Sequence, residues 1–192
     1  METNTVNKLA AGQSDYTSDY LYDYLKTTAP REASEEEWNI RQLVWSFKND
    51  SDRKRRYSYD QALDTIVPAY ERRLRMTYGA SIPRLTLVCV PASSRTKNER
   101  RWKEFSSRVC DDLDMYNGYS HIEVEGSATA RHLGGTGKVD MSFDESFFRG
   151  KDVVICDDVK TTGRSIQRMR SRLESIGAHV VGSLTIAKTV HE

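Results

Sequence analysis

The feature that most constrains the fold of this 192-residue chain is the run Val153-Val154-Ile155-Cys156-Asp157-Asp158-Val159-Lys160-Thr161-Thr162-Gly163-Arg164-Ser165. Its first four residues are apolar and mostly β-branched, which predicts a buried strand over Asp152 to Cys156. Two carboxylates stand at the strand's carboxyl end. Two hydroxyls, a glycine and a further hydroxyl follow, and then Ile166, Met169, Leu173 and Ile176 repeat at helical spacing. A strand that empties through a tight turn into a helix N-terminus makes a phosphate site, because the turn's N–H groups and the helix dipole both favour an anion. Thr161, Thr162 and Ser165 add hydroxyl donors, and Gly163 lets the backbone approach closely. Asp157 and Asp158 would repel a phosphate. They suit a neighbouring group that offers hydroxyls or carries a divalent metal. A phosphate beside a vicinal diol describes a ribose 5-phosphate.

These residues resemble the signature of the type I phosphoribosyltransferases, in which the run binds phosphoribosyl pyrophosphate (PRPP). The resemblance implies that Asp157 and Asp158 hold the ribose 2- and 3-hydroxyls. It also implies that Lys160, Thr161, Thr162, Gly163, Arg164 and Ser165 wrap the sugar and its 5-phosphate. Lys160 departs from the family pattern, which usually has an apolar residue there beside the incoming base. Its amine is expected to meet an anionic acceptor or a phosphate of a nucleic acid, or else to turn out to solvent. The resemblance spans about residues 84 to 187, and 153–165 carry most of its specificity.

Two further segments belong to the same pattern. Leu85 to Val90 reads as an apolar strand that ends in Pro91-Ala92-Ser93-Ser94-Arg95. Small residues, two hydroxyls and a guanidinium there suit a pyrophosphate, and the family uses the loop after the corresponding strand for that purpose. This makes Ala92, Ser93, Ser94 and Arg95 candidate pyrophosphate ligands. The stretch Gly126 to Lys138 is rich in glycine and carries Arg131, His132 and Lys138. It is similar to the family's flexible loop, which closes over the active site, so Arg131 and Lys138 join Asp157 and Asp158 as catalytic candidates. It is no Walker loop, because the spacing is wrong and no Ser or Thr follows the lysine.

The N-terminal part reads differently. The first 15 residues are polar and are expected to be a flexible tail. Tyr16, Tyr20, Leu21 and Tyr24 recur at helical spacing and predict a short aromatic-faced helix, whose tyrosines could stack on a base. Ser34 and Glu37 form a capping box ahead of a helix striped by Trp38, Leu43, Val44 and Phe47. Ser58 to Tyr78 predicts a longer helix that Pro68 should kink or split. Residues 16–79 thus read as a helical segment and possible hood, and residues 80–192 as a core in which strands alternate with helices. His121 to Glu125 and Val139 to Phe143 predict two more strands, Arg164 to Ile176 a helix closed by Gly177, and His179 to Ala187 the last strand. The fold class is α/β, a mostly parallel twisted sheet flanked by helices, with ligands at the carboxyl ends of the strands.

A net charge of +1 argues against bulk duplex DNA or an anionic membrane as partner. The basic run Arg53 to Arg56 reads as a solvated loop. Cys89, Cys110 and Cys156 lack metal-ligand spacing and give no disulfide framework. No signal peptide or apolar run of membrane length is present, so a reducing cytoplasm is the expected setting. Ile40 to Lys48 and the cluster Arg95, Arg100 and Arg101 are loosely similar to the ComF-like branch of the superfamily, without its zinc module.

The resemblance implies transfer of a phosphoribosyl group from PRPP to a nitrogenous acceptor base, with release of pyrophosphate. Mg²⁺ would be carried chiefly by the ligand, with Asp157 and Asp158 near it, and Arg95 with Lys138 or Arg131 would assist the leaving group. A homodimer is compatible with this reading. The alternative is a non-catalytic module that keeps the site for PRPP or a ribonucleotide monophosphate and senses nucleotides or handles nucleic acid. Its basic face would draw on Arg53–Arg56, Arg72, Arg73 and Arg75.

Overall fold

In the computed structural model, which describes residues 16–29, 31–50, 55–124 and 141–190, the elements follow in chain order as β1 (Thr17–Leu25), α1 (Glu35–Lys48), α2 (Tyr59–Tyr78), β2 (Leu85–Cys89), α3 (Arg95–Asn98), α4 (Glu104–Leu113), β3 (Tyr116–Asn117), β4 (Ile122–Val124), β5 (Met141–Phe143), α5 (Glu145–Phe148), β6 (Asp152–Lys160), α6 (Arg164–Ser175) and β7 (His179–Val190). Five strands form one sheet in the order β1-β7-β6-β2-β3, with every pairing parallel. The alternation of strands and helices read from residue 85 onward therefore builds the parallel sheet it predicts. β4 and β5 pair antiparallel in a separate two-stranded sheet.

Side chains of β6 alternate between the two faces, as strand geometry requires. Val153 and Ile155 pack with Ile166, Met169 and Leu173 of α6 on one face. Val154 and Cys156 pack on the other face, with Phe47 of α1, Ile66 and Tyr70 of α2, and Phe105 of α4. Phe47, Trp102 and Phe105 meet edge to face, with centroids 5.3 to 5.6 Å apart. Cys89 and Cys156 are register partners inside this core, and both thiols are free and buried.

Residues 17–25 are a strand rather than the helix their tyrosine spacing suggests. The 12-residue β7 pairs with β6 along one side, and its other edge carries N–H and C=O groups that need partners. β1 supplies them from Thr17↔Gly182 to Leu25↔Val190. The same stretch also places Tyr20, Tyr22 and Tyr24 at a period of two, and aromatics favour a pleated surface. The helical reading of residues 16–79 therefore holds for α1 and α2 and fails for β1.

The capping box at Ser34 and Glu37 is present in both directions, and an equivalent box between Ser58 and Gln61 starts α2. Pro68 does not split α2, which runs unbroken over 20 residues. Its ring is on the exposed side, where water can satisfy the Asp64 carbonyl that proline leaves without a donor. β6 runs on to Lys160, past the predicted end at Cys156, because the long β7 offers Thr185, Ala187 and Lys188 as further register partners. Asp157 and Asp158 are therefore strand residues, not turn residues.

Gly182 is where β1, β7 and α2 come closest. A Cβ there would stand 2.2 Å from the Tyr78 hydroxyl oxygen and 2.6 Å from the Thr17 carbonyl oxygen. We expect Gly182→Ala to destabilise the protein by about 1–3 kcal/mol through this overpacking, read as a lower midpoint in urea unfolding. An unchanged midpoint would refute the close approach.

Candidate active site

The carboxyl ends of β2 and β6 lie side by side, with the Val90 N–H donating to the Cys156 carbonyl at 2.8 Å. This brings the segment 91–95 and the run 157–165 to the same edge of the sheet, as the sequence pattern requires. After β6 the chain passes through Thr161 and Thr162 to Gly163, whose φ of 75° is the left-handed conformation that glycine tolerates best. Gly163 caps α6 without a side-chain hydrogen bond. The first intrahelical bond there runs from the Gln167 N–H to the Gly163 carbonyl. The N–H groups of the first turn thus have no partner in the helix ladder and face outward beside the exposed Thr161, Thr162, Arg164 and Ser165. That arrangement can accept a phosphate.

The two carboxylates behave differently. Asp157 continues the alternation of Val153 and Ile155, which places it on the α6 face. Its Oδ1 accepts the Asp158 N–H at 2.8 Å. Burial, and then the adjacent Asp158 charge, push its carboxyl up to about 7. Asp158 lies on the opposite face and is buried. Its Oδ2 accepts from the Arg101 guanidinium at 2.5 Å and lies 3.6 Å from the Lys48 ammonium. Arg101 also lies 3.6 Å from Asp50 Oδ1. Sequence reading assigned Arg101 only to a basic stretch and gave Lys48 no role. No local pattern marks either, because their partner lies more than fifty residues away.

Lys160 is half-buried at the end of β6. Its Nζ donates to Ser18 Oγ on β1 at 2.8 Å. Burial and then Lys188 lower its pKa. In the segment after β2, the Ala92 N–H is taken by the buried Asn98 Oδ1 at 3.0 Å, and Ser94 Oγ accepts the Lys97 N–H as the cap of α3. Ser93 and Arg95 remain exposed. Asn98 was missed in the sequence, although an Asn six residues after a small-residue turn is a recognisable loop anchor. Arg131 and Lys138 lie outside the described residues. The tyrosines expected to stack on a base are engaged within the protein. The Arg170 guanidinium sits 4.3 Å from the Tyr16 ring centroid, Lys188 lies over Tyr20, and Tyr24 accepts from the Trp45 indole N–H.

α1 crosses the carboxyl edge of the sheet. Arg41 donates to the carbonyls of Leu25 and Lys26 where β1 ends, and Lys48 reaches Asp158 where β6 ends. A cleft of about 560 Å³ opens on the β2 side, lined by Arg95, Asn98, Glu99, Lys103, Tyr119 and Glu123 among others. No residue of 157–165 lines it. Among the described residues, no cluster of three or more His, Cys, Asp or Glu side chains could hold a metal ion. The donor set at β6 is two carboxylates, one of them already paired. It fits Mg²⁺ only as an ion held mainly by ligand oxygens and water. None of the helices among the described residues is long and apolar enough to cross a membrane.

A parallel sheet whose central strand ends in adjacent carboxylates and a glycine turn into a helix N-terminus defines an open α/β fold, a class whose ligands bind at the carboxyl ends of the strands. The model of the phosphoribosyl transferase domain matches residues 59–191, and the chain belongs to that family. Among solved structures it is similar to a purine phosphoribosyltransferase from Pyrococcus horikoshii Ot3, at 19% identity over 66% of this chain and 72% of that one, with a TM-score of 0.41. It is also similar to a hypoxanthine phosphoribosyltransferase from Staphylococcus aureus, at 16% identity over 68% and 74%, with a TM-score of 0.38. UMP synthase from Leishmania donovani is similar at 14% identity over 81% of this chain and 32% of that one, with a TM-score of 0.43. No curated protein matches. Nothing in these comparisons singles out the ComF-like branch.

The raised Asp157 pKa sets a pH dependence. An unfolded aspartate ionises near 3.9, so between about pH 4 and the folded value of about 7 the native state binds a proton that the unfolded state has lost. Stability from this group is therefore present at low pH and is lost as pH rises towards 7. In Asp157→Asn this contribution is absent. The difference in melting temperature, variant minus wild type, should grow between pH 5 and pH 7.5. A flat difference would show that Asp157 titrates normally.

Proposed function

We propose that the protein binds PRPP at the carboxyl end of β6 and transfers its phosphoribosyl group to a nitrogenous acceptor. The observation that carries this reading is the open N-terminal turn of α6, entered through Gly163, on the same face of β6 as Asp157. The N–H groups of that turn, with Thr161, Thr162 and Ser165, bind the 5-phosphate. Asp157 accepts hydrogen bonds from the ribose hydroxyls, with Asp158 directly behind it. Ser93 and Arg95 face the pyrophosphate, and Ala92 and Ser94 shape its loop.

The bond from C1 to the pyrophosphate oxygen breaks and a bond from C1 to the acceptor nitrogen forms, while the acceptor nitrogen's proton passes to solvent or to the released pyrophosphate. Arg95 neutralises charge that develops on the leaving oxygen. Asp157, when ionised, favours positive charge on the sugar, by about a few kcal/mol at an effective dielectric near 20. Asp157, at the end of β6, is the residue that would stand beside a ligand-carried Mg²⁺, which would supply Lewis-acid stabilisation of the leaving pyrophosphate. Arg131 and Lys138 are the proposed loop groups that meet the leaving pyrophosphate. α1, which spans the sheet edge from β1 to β6, is the proposed hood for the acceptor.

The nucleic-acid reading finds little support, because among the described residues four of its basic side chains are engaged within the protein. Arg73 pairs with Asp19 and Arg75 with Glu71. Arg55 donates to Asn49 and Arg56 to Asn39.

We expect calorimetry to detect PRPP binding in the presence of Mg²⁺, and a panel of nitrogenous bases to include one that elicits pyrophosphate release. Gly163→Val should weaken PRPP binding by more than about tenfold while the fold persists, because valine is disfavoured at positive φ and crowds the phosphate turn. Lys138→Ala should lower kcat more than PRPP affinity, as for a group that acts on charge arising only in the transition state. Well-folded wild-type protein that binds no PRPP would end this reading.

A further inference from the structure

Adjacent residues of a strand point to opposite faces, and this separates the two signature carboxylates. Asp157 shares its face with α6 and the phosphate turn. Asp158 is directed to the face covered by α1 and by the helical segment that follows β2. There it meets two cations. Arg101 contacts Asp158 Oδ2 at 2.5 Å, and the side chains of Arg101 and Asp158 are only 12% and 9% exposed. Lys48 stands 3.6 Å from the same oxygen. The other Asp158 oxygen accepts the Val159 N–H.

Arg101 is itself held firmly. Its Nε reaches the Lys48 carbonyl, its second amino group faces Asp50, and its own carbonyl accepts the Tyr59 hydroxyl at 2.6 Å. It lies in a π-helical turn, Glu99–Lys103, between α3 and α4. Such turns often mark functional sites, since the extra residue re-aims a side chain. Both oxygens of this carboxylate thus already have a partner on the α1 side or in the backbone, away from the face that carries α6.

Building on the phosphoribosyl reading above, we propose that Arg101 is a positioning residue of the sugar site. It clamps Asp158 on the α1 side of β6, so that Asp157 alone is presented to the ribose hydroxyls. Arg101 also neutralises a buried negative charge that would otherwise repel the anionic ligand one residue away. The clamp ties three parts of the site together: the end of β6, the C-terminus of α1, and the helical segment that carries the pyrophosphate loop.

The test uses the 192-residue chain with two probes, ribose 5-phosphate and 2-deoxyribose 5-phosphate, measured by calorimetry. Circular dichroism confirms that each variant is folded. Wild type should prefer the ribose compound, and Asp157→Asn should remove that preference. Asp158→Asn should keep it, because the asparagine oxygen still accepts from Arg101. Arg101→Met leaves Asp158 buried without its main partner, and should weaken ribose 5-phosphate binding by about tenfold. Adding Asp158→Asn to Arg101→Met should restore it. A purely structural arginine would not show this second-site recovery of sugar affinity. Should Arg101→Met fail to fold, Asp158→Asn and the double variant decide the matter. Loss of the ribose preference in Asp158→Asn, or no recovery in the double variant, would overturn the clamp while leaving the phosphoribosyl reading intact. Wild type that binds neither probe nor PRPP would overturn both.

Discussion

A carboxylate buried at the end of a central strand has to be compensated, and much of the site follows from how Asp158 meets that requirement. An isolated charge in the interior is strongly unfavourable, and removing one partner of a buried pair costs far more than the pair contributes. Compensation therefore cannot come from water or from one flexible lysine. It comes from a guanidinium set in a π-helical turn and anchored at its own backbone, with the C-terminus of α1 closing around it. These contacts bring α1 across the sheet edge and hold the segment after β2 against β6. The geometry of the proposed sugar and pyrophosphate subsites is thus set largely by one ion-pair network.

The parallel sheet provides the frame. Its strands are buried on both faces, so β6 reads as an almost continuous apolar run up to Asp157. Helices cover both faces, and all five strands of the sheet point the same way, which gathers their carboxyl ends at one edge. Asp157 then occupies a position of conflict. It is desolvated on the α6 face and repelled by its neighbour, and it carries a carboxyl that titrates near neutrality. Groups held in such conflict suit a site whose ligand brings hydroxyls or a cation to relieve it.

Much of this arrangement is legible in the chain. The order of apolar run, carboxylates, hydroxyls and glycine at 153–165 predicts a strand, a tight turn and a helix, and the structure contains all three. The capping box at Ser34 and the helical spacing of Ile166, Met169 and Leu173 likewise report local structure through local chemistry. Errors arise where a segment satisfies two periods at once. Residues 16–24 fit a helix by their tyrosine spacing and a strand by Tyr20, Tyr22 and Tyr24. The unpaired edge of β7, more than 150 residues away in the chain, decides between them. The end of β6 was misplaced for the same reason, since the length of β7 determines how far its partner stays extended.

What the sequence by itself determined is the set of local elements and the chemistry gathered in them: an α/β chain, a glycine turn rich in hydroxyls after a central strand, and two carboxylates beside it. Those features depend on residues close together in the chain, through propensity, capping and the spacing of apolar positions. Tertiary structure alone decided which face each carboxylate occupies relative to α6, that Arg101 and Lys48 claim Asp158, and that Lys160 turns to Ser18. It also decided that α1 spans the sheet edge. Each of these is a contact between residues remote in sequence, and burial makes such contacts obligatory only once the layers have packed.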